Sequence, residues 1–254
     1  MQYVSGGRPL HQRYLRDATS VFDREERRRF YRADGCPVDQ ERLNWEVLYR
    51  LEPGLYERLI RGEHIHPRVL EWLPRSSSRV LELGAGTGRL TLPLAARCGE
   101  LIATEPAAPL MNLLCGKLTA AGIRNVSCRR AFFDSIPVPS ASCDLVISCS
   151  AFVPDSEIDP DASLKEMERC CVPGGLIVVV WPQDAGWLEQ CGYRHVKFAG
   201  RMEHEFDSVT EAIELTRIFY PDALEQVRDA ESPNVPYDLF RMKAPRDLCW
   251  KRVS

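Results

Sequence analysis

The chain has 254 residues, of which 44% are hydrophobic and 27% charged, and its formal net charge is −3. Such a balance suits a globular chain with a real core. It argues against a protein that grips nucleic acid backbone through a basic excess, and no run of about 18 apolar residues suggests a membrane span.

The ten cysteines form no Cys-x-x-Cys pair, and Cys128, Cys143 and Cys149 sit inside apolar runs. They read as small buried hydrophobes in a reducing compartment. The polar stretch Met1 to Leu10 lacks the apolar region of a secretory signal, so a cytoplasmic protein is expected. Arginine far outnumbers lysine, which suggests a GC-rich, bacterial gene.

Residues 1 to about 75 read as a helical extension, a cap or substrate region. Arg24, Arg27, Arg28 and Arg29 lie among Asp23, Glu25 and Glu26, the pattern of a solvated helix face. A basic docking surface along Arg8 to Arg32 is the alternative. Leu43, Val47, Leu48, Leu51, Leu55 and Leu59 fall near helical spacing with a break at Pro53-Gly54, which predicts two short amphipathic helices.

From residue 76 to about 182, apolar runs at 79–83, 101–104, 126–129, 145–148 and 176–181 alternate with helical candidates at 88–98, 107–121 and 161–171. Strands alternating with helices predict a parallel sheet covered on both faces. Further on, a helix is expected around Trp187 to Gln190 and a strand near Tyr193 to Phe198. A helix from about Ser208 to Tyr220, a loop holding Pro233 and Pro236, and a last strand near Leu248 to Arg252 complete the chain. Residues 76–254 read as one α/β domain with a lid-like insertion at about 199–240.

The strand Val80-Leu81-Glu82-Leu83 runs directly into Gly84-Ala85-Gly86-Thr87-Gly88, and a helix follows. That order puts backbone N–H groups and a positive helix end beside a ligand. A dinucleotide fingerprint, G-x-G-x-x-G, would need a third glycine at position 89, where the chain has Arg89.

The actual pattern, an acid followed by x-G-x-G-x-G, resembles motif I of the class I S-adenosylmethionine-dependent methyltransferases. Two further stretches fit that family in order and spacing. One is Cys143 to Ser150, like its fourth strand; the other is the Pro173-Gly174-Gly175 turn into Leu176 to Val180. The resemblance covers the central two-fifths of the chain. It implies a Rossmann-like, seven-stranded, mostly parallel sheet with helices on both faces, extended by N-terminal helices and a C-terminal helical insertion.

It also implies S-adenosylmethionine as cofactor. Glu82 would face the amino-acid head, and Gly84, Ala85, Gly86 and Gly88 would cradle head and ribose. Glu105, at the end of the second strand with Pro106 beside it, would accept from the ribose hydroxyls. The family's adenine-side Asp is replaced by Phe132, which leaves Asp134 or the backbone of Phe133 for that contact, with core packing of the two phenylalanines as the plainer use. Ser148, Cys149 and Ser150 would face the methionine portion or the acceptor.

Methyl transfer is mainly a matter of alignment, so no dedicated catalytic residue is required. The family's occasional His after the fourth strand is absent from Ala151-Phe152-Val153-Pro154. His64, His66 and Tyr49 are the candidate acid–base or acceptor contacts, with simple packing as the competing use. His64 and His66 alone make no metal site. His204, between Glu203 and Glu205, is expected to be exposed. The expected partner is a small organic acceptor, methylated on oxygen, nitrogen or carbon. Nucleic acid and membrane are not expected partners, and a monomer or homodimer is expected. An RNA or protein methyltransferase, and a cofactor-binding pseudoenzyme or partner subunit, are the alternatives.

Overall fold

The computed structural model describes residues 20–75, 79–152 and 160–254. The first part of the Arg8 to Arg32 run, and Val153-Pro154, lie outside them. Described elements, in chain order, are helices α1 (Arg24–Phe30), α2 (Gln40–Leu51), α3 (Pro53–Arg61) and α4 (Pro67–Trp72); β1 (Arg79–Leu83), α5 (Thr91–Ala95), β2 (Glu100–Thr104), α6 (Ala108–Ala120), β3 (Val126–Arg129) and β4 (Cys143–Cys149); α7 (Pro160–Cys170), β5 (Cys171–Val180), α8 (Ala185–Gln190) and β6 (Arg194–Lys197); then β7 (Glu203–Glu205), α9 (Val209–Phe219), α10 (Leu224–Ala230), β8 (Asn234–Pro236) and β9 (Asp247–Arg252). They fall into two compact units: residues 64–202 with 244–254, and residues up to 63 with 203–243.

The first unit is a seven-stranded sheet in the order β3-β2-β1-β4-β5-β9-β6. The strands from β3 to β5 are mutually parallel. β9 runs antiparallel to both its neighbours. Strands β4 and β5 are near-continuous apolar runs, as a sheet buried on both faces requires; Leu176 to Val180 are all buried. On one face Leu81, Leu83, Val146, Ile177 and Val179 pack with Leu164, Met167 and Leu188. On the other, Ala103 packs with Leu114 and Leu118 of α6 and with Ala85. Side chains alternate across a strand, and Glu82 pairs in register with Ala103. Glu82 therefore points to the α6 face, away from Leu81 and Leu83.

The chain leaves β1 in one direction to form β2 and β3, then returns to the other side of β1 to form β4. That reversal opens a crevice at the carboxyl ends of β1 and β4, the usual ligand position in such sheets.

The second unit is held by buried aromatics and ion pairs. Arg50 lies 4.8 Å from the Phe22 ring centroid and bonds Glu26 at 2.7 Å and Glu46 at 2.6 Å. Arg58 of α3 bonds Glu211 at 2.9 Å and Glu214 at 2.8 Å, both on α9. Contrary to the expectation from its acidic neighbours, His204 is fully buried, stacked on Phe206 with ring centroids 4.1 Å apart. The period of a strand explains this: Glu203 and Glu205 take one face of β7 and His204 the other. The loop expected around Pro233 and Pro236 contains strand β8, paired antiparallel with β7.

Candidate functional site

The glycine loop is shaped by backbone angles that side chains resist. Gly84, Gly86 and Gly88 have φ of +68°, +55° and +101°, the region that L residues rarely adopt. At Gly84 a Cβ would also overlap the Cβ of Ala151, just past β4. The bare backbone of the loop thus lies directly against the segment that leaves β4.

The loop is braced from below. Ala85 N–H donates to Thr104 O at 2.9 Å and Gly88 N–H to Ala85 O at 2.9 Å. Lys117 Nζ on α6 donates to Thr87 O at 2.9 Å. Glu105 is the main strut. Its Oε2 accepts from Gly86 N–H at 2.9 Å and its Oε1 from Ala107 N–H at 2.9 Å. Glu105 stands at the end of β2, the position from which a carboxylate can accept from a ligand diol in such sheets.

Glu82 is 1% exposed, and its Oε2 has no hydrogen-bond partner among the described residues. Burial pushes its carboxyl up to about 7; the Thr91 hydroxyl and Arg89 pull the other way, and Glu105 adds to the rise. An orphaned buried carboxylate oxygen is costly unless something completes it. Thr87 Oγ1 and Ser148 Oγ are likewise buried and unpartnered among the described residues.

The crevice floor is made by the ends of β4 and β5. Both stop at a non-glycine residue in the left-handed region, Ser150 at φ +55° and Trp181 at φ +51°. Each is pinned by its own N–H: Ser150 to Val180 O at 3.0 Å, Trp181 to Asp247 O at 2.9 Å. Gln183 Nε2 bonds Ser150 Oγ at 3.3 Å, and the Arg89 guanidinium lies 5.0 Å from the Trp181 ring centroid. Backbone strain of this kind concentrates at functional sites.

The residues singled out in the sequence separate into groups here. Glu82, Gly84, Ala85, Gly86, Gly88, Glu105, Ser148 and Cys149 converge on the crevice around β1, β2 and β4. Pro106 follows Glu105 directly. The Phe133 ring borders Gly84, 3.5 Å from where a Cβ would stand. Asp134 is exposed in the tight turn closed by Ser135 N–H to Phe132 O at 3.2 Å; Phe132 itself is buried.

His66 belongs to a different structure. Its Nδ1 accepts from Arg68 N–H at 3.2 Å, capping α4, and its ring stacks on Phe198 at 6.1 Å. His64 precedes it, exposed. Tyr49, in the second unit, meets Tyr56 edge-on at 4.7 Å. Among the described residues no three His, Cys, Asp or Glu side chains are placed to share a metal ion, and no helix is long and apolar enough to cross a membrane. Arg89, Lys117 and Gln183 are the site residues that carry no family motif in the sequence. Only Arg89, occupying the place of a fingerprint's third glycine, carried a signal.

An orphaned acid, a glycine cradle and a carboxylate at the end of the second strand suit a ligand with an ammonium at one end and a ribose at the other. Residues 80–175 match the model of the methyltransferase domain family. The chain is 28% identical over 201 residues to an uncharacterised methyltransferase of Mycobacterium tuberculosis, covering 77% of this chain and 75% of that one. It is 30% identical over 154 residues to an uncharacterised methyltransferase of Schizosaccharomyces pombe, covering 57% and 58%. Among solved structures the fold is similar to that of the [4+2]-cyclase SpnF, with a TM-score of 0.54, 16% identity and coverage of 82% of this chain and 95% of the other. It is also similar to the YcgJ protein of Bacillus subtilis, with a TM-score of 0.50, 15% identity and coverage of 74% and 100%.

Proposed function

This chain is a class I S-adenosylmethionine-dependent methyltransferase, and on that premise we propose that it methylates a small organic molecule on oxygen, nitrogen or carbon. The cofactor supplies an electrophilic methyl group on a sulfonium. What the chain adds is placement.

In this reading Glu82 takes the cofactor's ammonium and completes its own orphaned oxygen. Gly84 to Gly88 allow close approach of the ligand to bare backbone. Glu105 accepts from the ribose hydroxyls while it braces Gly86 and Ala107. Phe133 covers the nucleoside side of the loop, with Asp134 at its rim. Ser148, Cys149 and Ser150 line the side from which the acceptor approaches. Fold does not choose the acceptor; that task falls to the second unit, residues up to 63 with 203–243.

The observation that carries the small-molecule reading is the aromatic surface of that unit. Trp45, Tyr49 and Tyr56, all half-buried, meet one another at centroid distances of 4.7 to 6.5 Å on consecutive helices. Trp45 stacks on Phe219. Aromatic walls of this kind suit an apolar or planar ligand, whereas an RNA groove needs a basic field that a net charge of −3 does not favour.

Incubation with methyl-labelled cofactor and fractionated extract tests the proposal. Label should appear in the low-mass organic fraction. Label confined to RNA or protein would reject it.

A further inference from the structure

At the amino end of the sheet, the turn that leaves α5 meets the end of α4. Leu70, Arg75, Pro93, Ala96 and Arg97 line a cavity of about 630 Å³ there, a volume that suits a small molecule. Strand β2 separates this cavity from the crevice. Gly99, on the cavity wall, precedes the first residue of β2, and Glu105 follows the last.

The polar groups around the cavity are out of balance. Three carbonyls at its edge are already occupied. Asn125 Nδ2 donates to Ala95 O at 2.8 Å and to Cys98 O at 3.0 Å, and Arg97 Nη2 donates to Leu73 O at 2.9 Å. The group left unsatisfied is a donor: Arg97 Nε is buried with no hydrogen-bond partner among the described residues. Burial and then the nearby Arg75 hold the Arg97 guanidinium below the ordinary arginine range, and Glu71 counters by less. Glu100, next along the chain, is taken by Arg79 at 3.1 Å. Two guanidiniums therefore stand near each other, and the attraction of the acid beside them is weaker than their mutual repulsion. An unmet buried donor and a close pair of like charges both cost free energy. An anion placed between the two cations relieves both costs.

We propose that Arg75 and Arg97 form a binding site for a small phosphomonoester, with its phosphate between the two guanidiniums and its organic body on Leu70, Pro93 and Ala96. Such a phosphate carries close to two negative charges at neutral pH and three strong acceptor oxygens, which match two planar donor forks. Inorganic phosphate brings the charge but leaves the apolar lining uncovered. A phosphodiester brings a single charge to two cations. The site lies apart from the cofactor crevice and does not depend on which acceptor is methylated.

Phosphorus NMR of the full chain with phenyl phosphate, inorganic phosphate and dimethyl phosphate tests the site. The phenyl phosphate signal should shift and broaden with added protein, and its affinity should exceed that of either other ligand by about tenfold. Saturating S-adenosylhomocysteine should leave that affinity unchanged. Arg75 is exposed, so Arg75→Met should spare the fold while weakening phenyl phosphate about tenfold, and Arg75→Lys should recover part of the loss. Arg97→Met should abolish binding; because it also removes the bond to Leu73, Arg75 carries the decisive comparison. No response to millimolar phenyl phosphate overturns the proposal. So does displacement by S-adenosylhomocysteine, which would place the ligand in the crevice, or wild-type affinity in Arg75→Met. Equal binding of inorganic phosphate or dimethyl phosphate also overturns it, since an organic ester dianion would then not be what the site selects.

Discussion

Glu82 is where burial and charge are set most sharply against each other. Its carboxyl is raised from the usual 4.5 to about 7, chiefly by burial. A carboxyl raised by folding binds a proton more tightly folded than unfolded. Without ligand, its contribution to stability is therefore present in full below pH 4.5 and is lost as the pH rises through 7. The span corresponds to roughly 3 kcal/mol. Urea melts of the ligand-free protein should show stability falling between pH 5 and 7.5, and Glu82→Gln should flatten that fall. An ammonium brought beside the carboxyl reverses its preference, so cofactor binding near pH 6 should release close to one proton. Calorimetry in two buffers of different ionisation enthalpy reads this directly, and an identical heat in both buffers would contradict the assignment. Glu105 differs in kind. Because Gly86 and Ala107 both donate to it, Glu105→Ala orphans two buried N–H groups as well as removing a ribose contact. It should lower the melting point of the ligand-free protein and also weaken S-adenosylhomocysteine by about 1–3 kcal/mol. Loss of affinity with no loss of stability would show that the strut is dispensable.

Among the elements, α6 stands out as a buttress. Leu110, Leu114 and Leu118 form its buried stripe; Leu114 fills the space beside Gly88, 2.6 Å from where a Cβ would stand, and Lys117 anchors Thr87 O. Lys117→Met keeps the helix and removes the anchor. The cofactor KM should rise severalfold, with kcat at saturating cofactor and the acceptor KM unchanged, and Lys117→Arg should recover most of the loss. A fall in kcat alone would place Lys117 elsewhere in the reaction. At this scale much was legible from the chain. The run Val80 to Leu83, the glycines after it and the apolar core of β5 each announce themselves by local composition, and Pro53 marks the break between α2 and α3. Other features depend on partners distant in sequence. The helix expected over 88–98 shrinks to Thr91–Ala95 because the loop consumes 88 to 90. β5 starts early because Cys171 pairs with Cys143 across a register shift. α10, seven residues long, is too short to show a period. His204 is buried because the alternation of β7, rather than the charge of its neighbours, sets the face it takes. Glu105 was legible as an acid at a strand end, but its grip on Gly86 is a contact across 19 residues that no local pattern encodes.

For the molecule as a whole, cofactor and acceptor are assigned to different parts of one chain, and that division can be measured. Every cofactor residue argued above lies within residues 64–202, and the aromatic surface offered to the acceptor lies in the unit built from residues up to 63 and 203–243. Binding to the native state alone stabilises it by about 2.7 kcal/mol at a hundredfold excess of ligand over Kd. Local opening reactions feel that stabilisation only where the ligand is bound. Hydrogen exchange with saturating S-adenosylhomocysteine should therefore slow most in the segments around 84–90, 104–108 and 131–135. Residues 40–61 and 209–230 should respond little until an acceptor is added. All ten cysteines are free thiols, and burial pushes Cys171 and Cys249 up to about 12. The exchange pattern should accordingly be the same with and without reductant. Protection by the cofactor product centred on 40–61 or 209–230 would move the cofactor out of the parallel sheet and take the proposed division of labour with it.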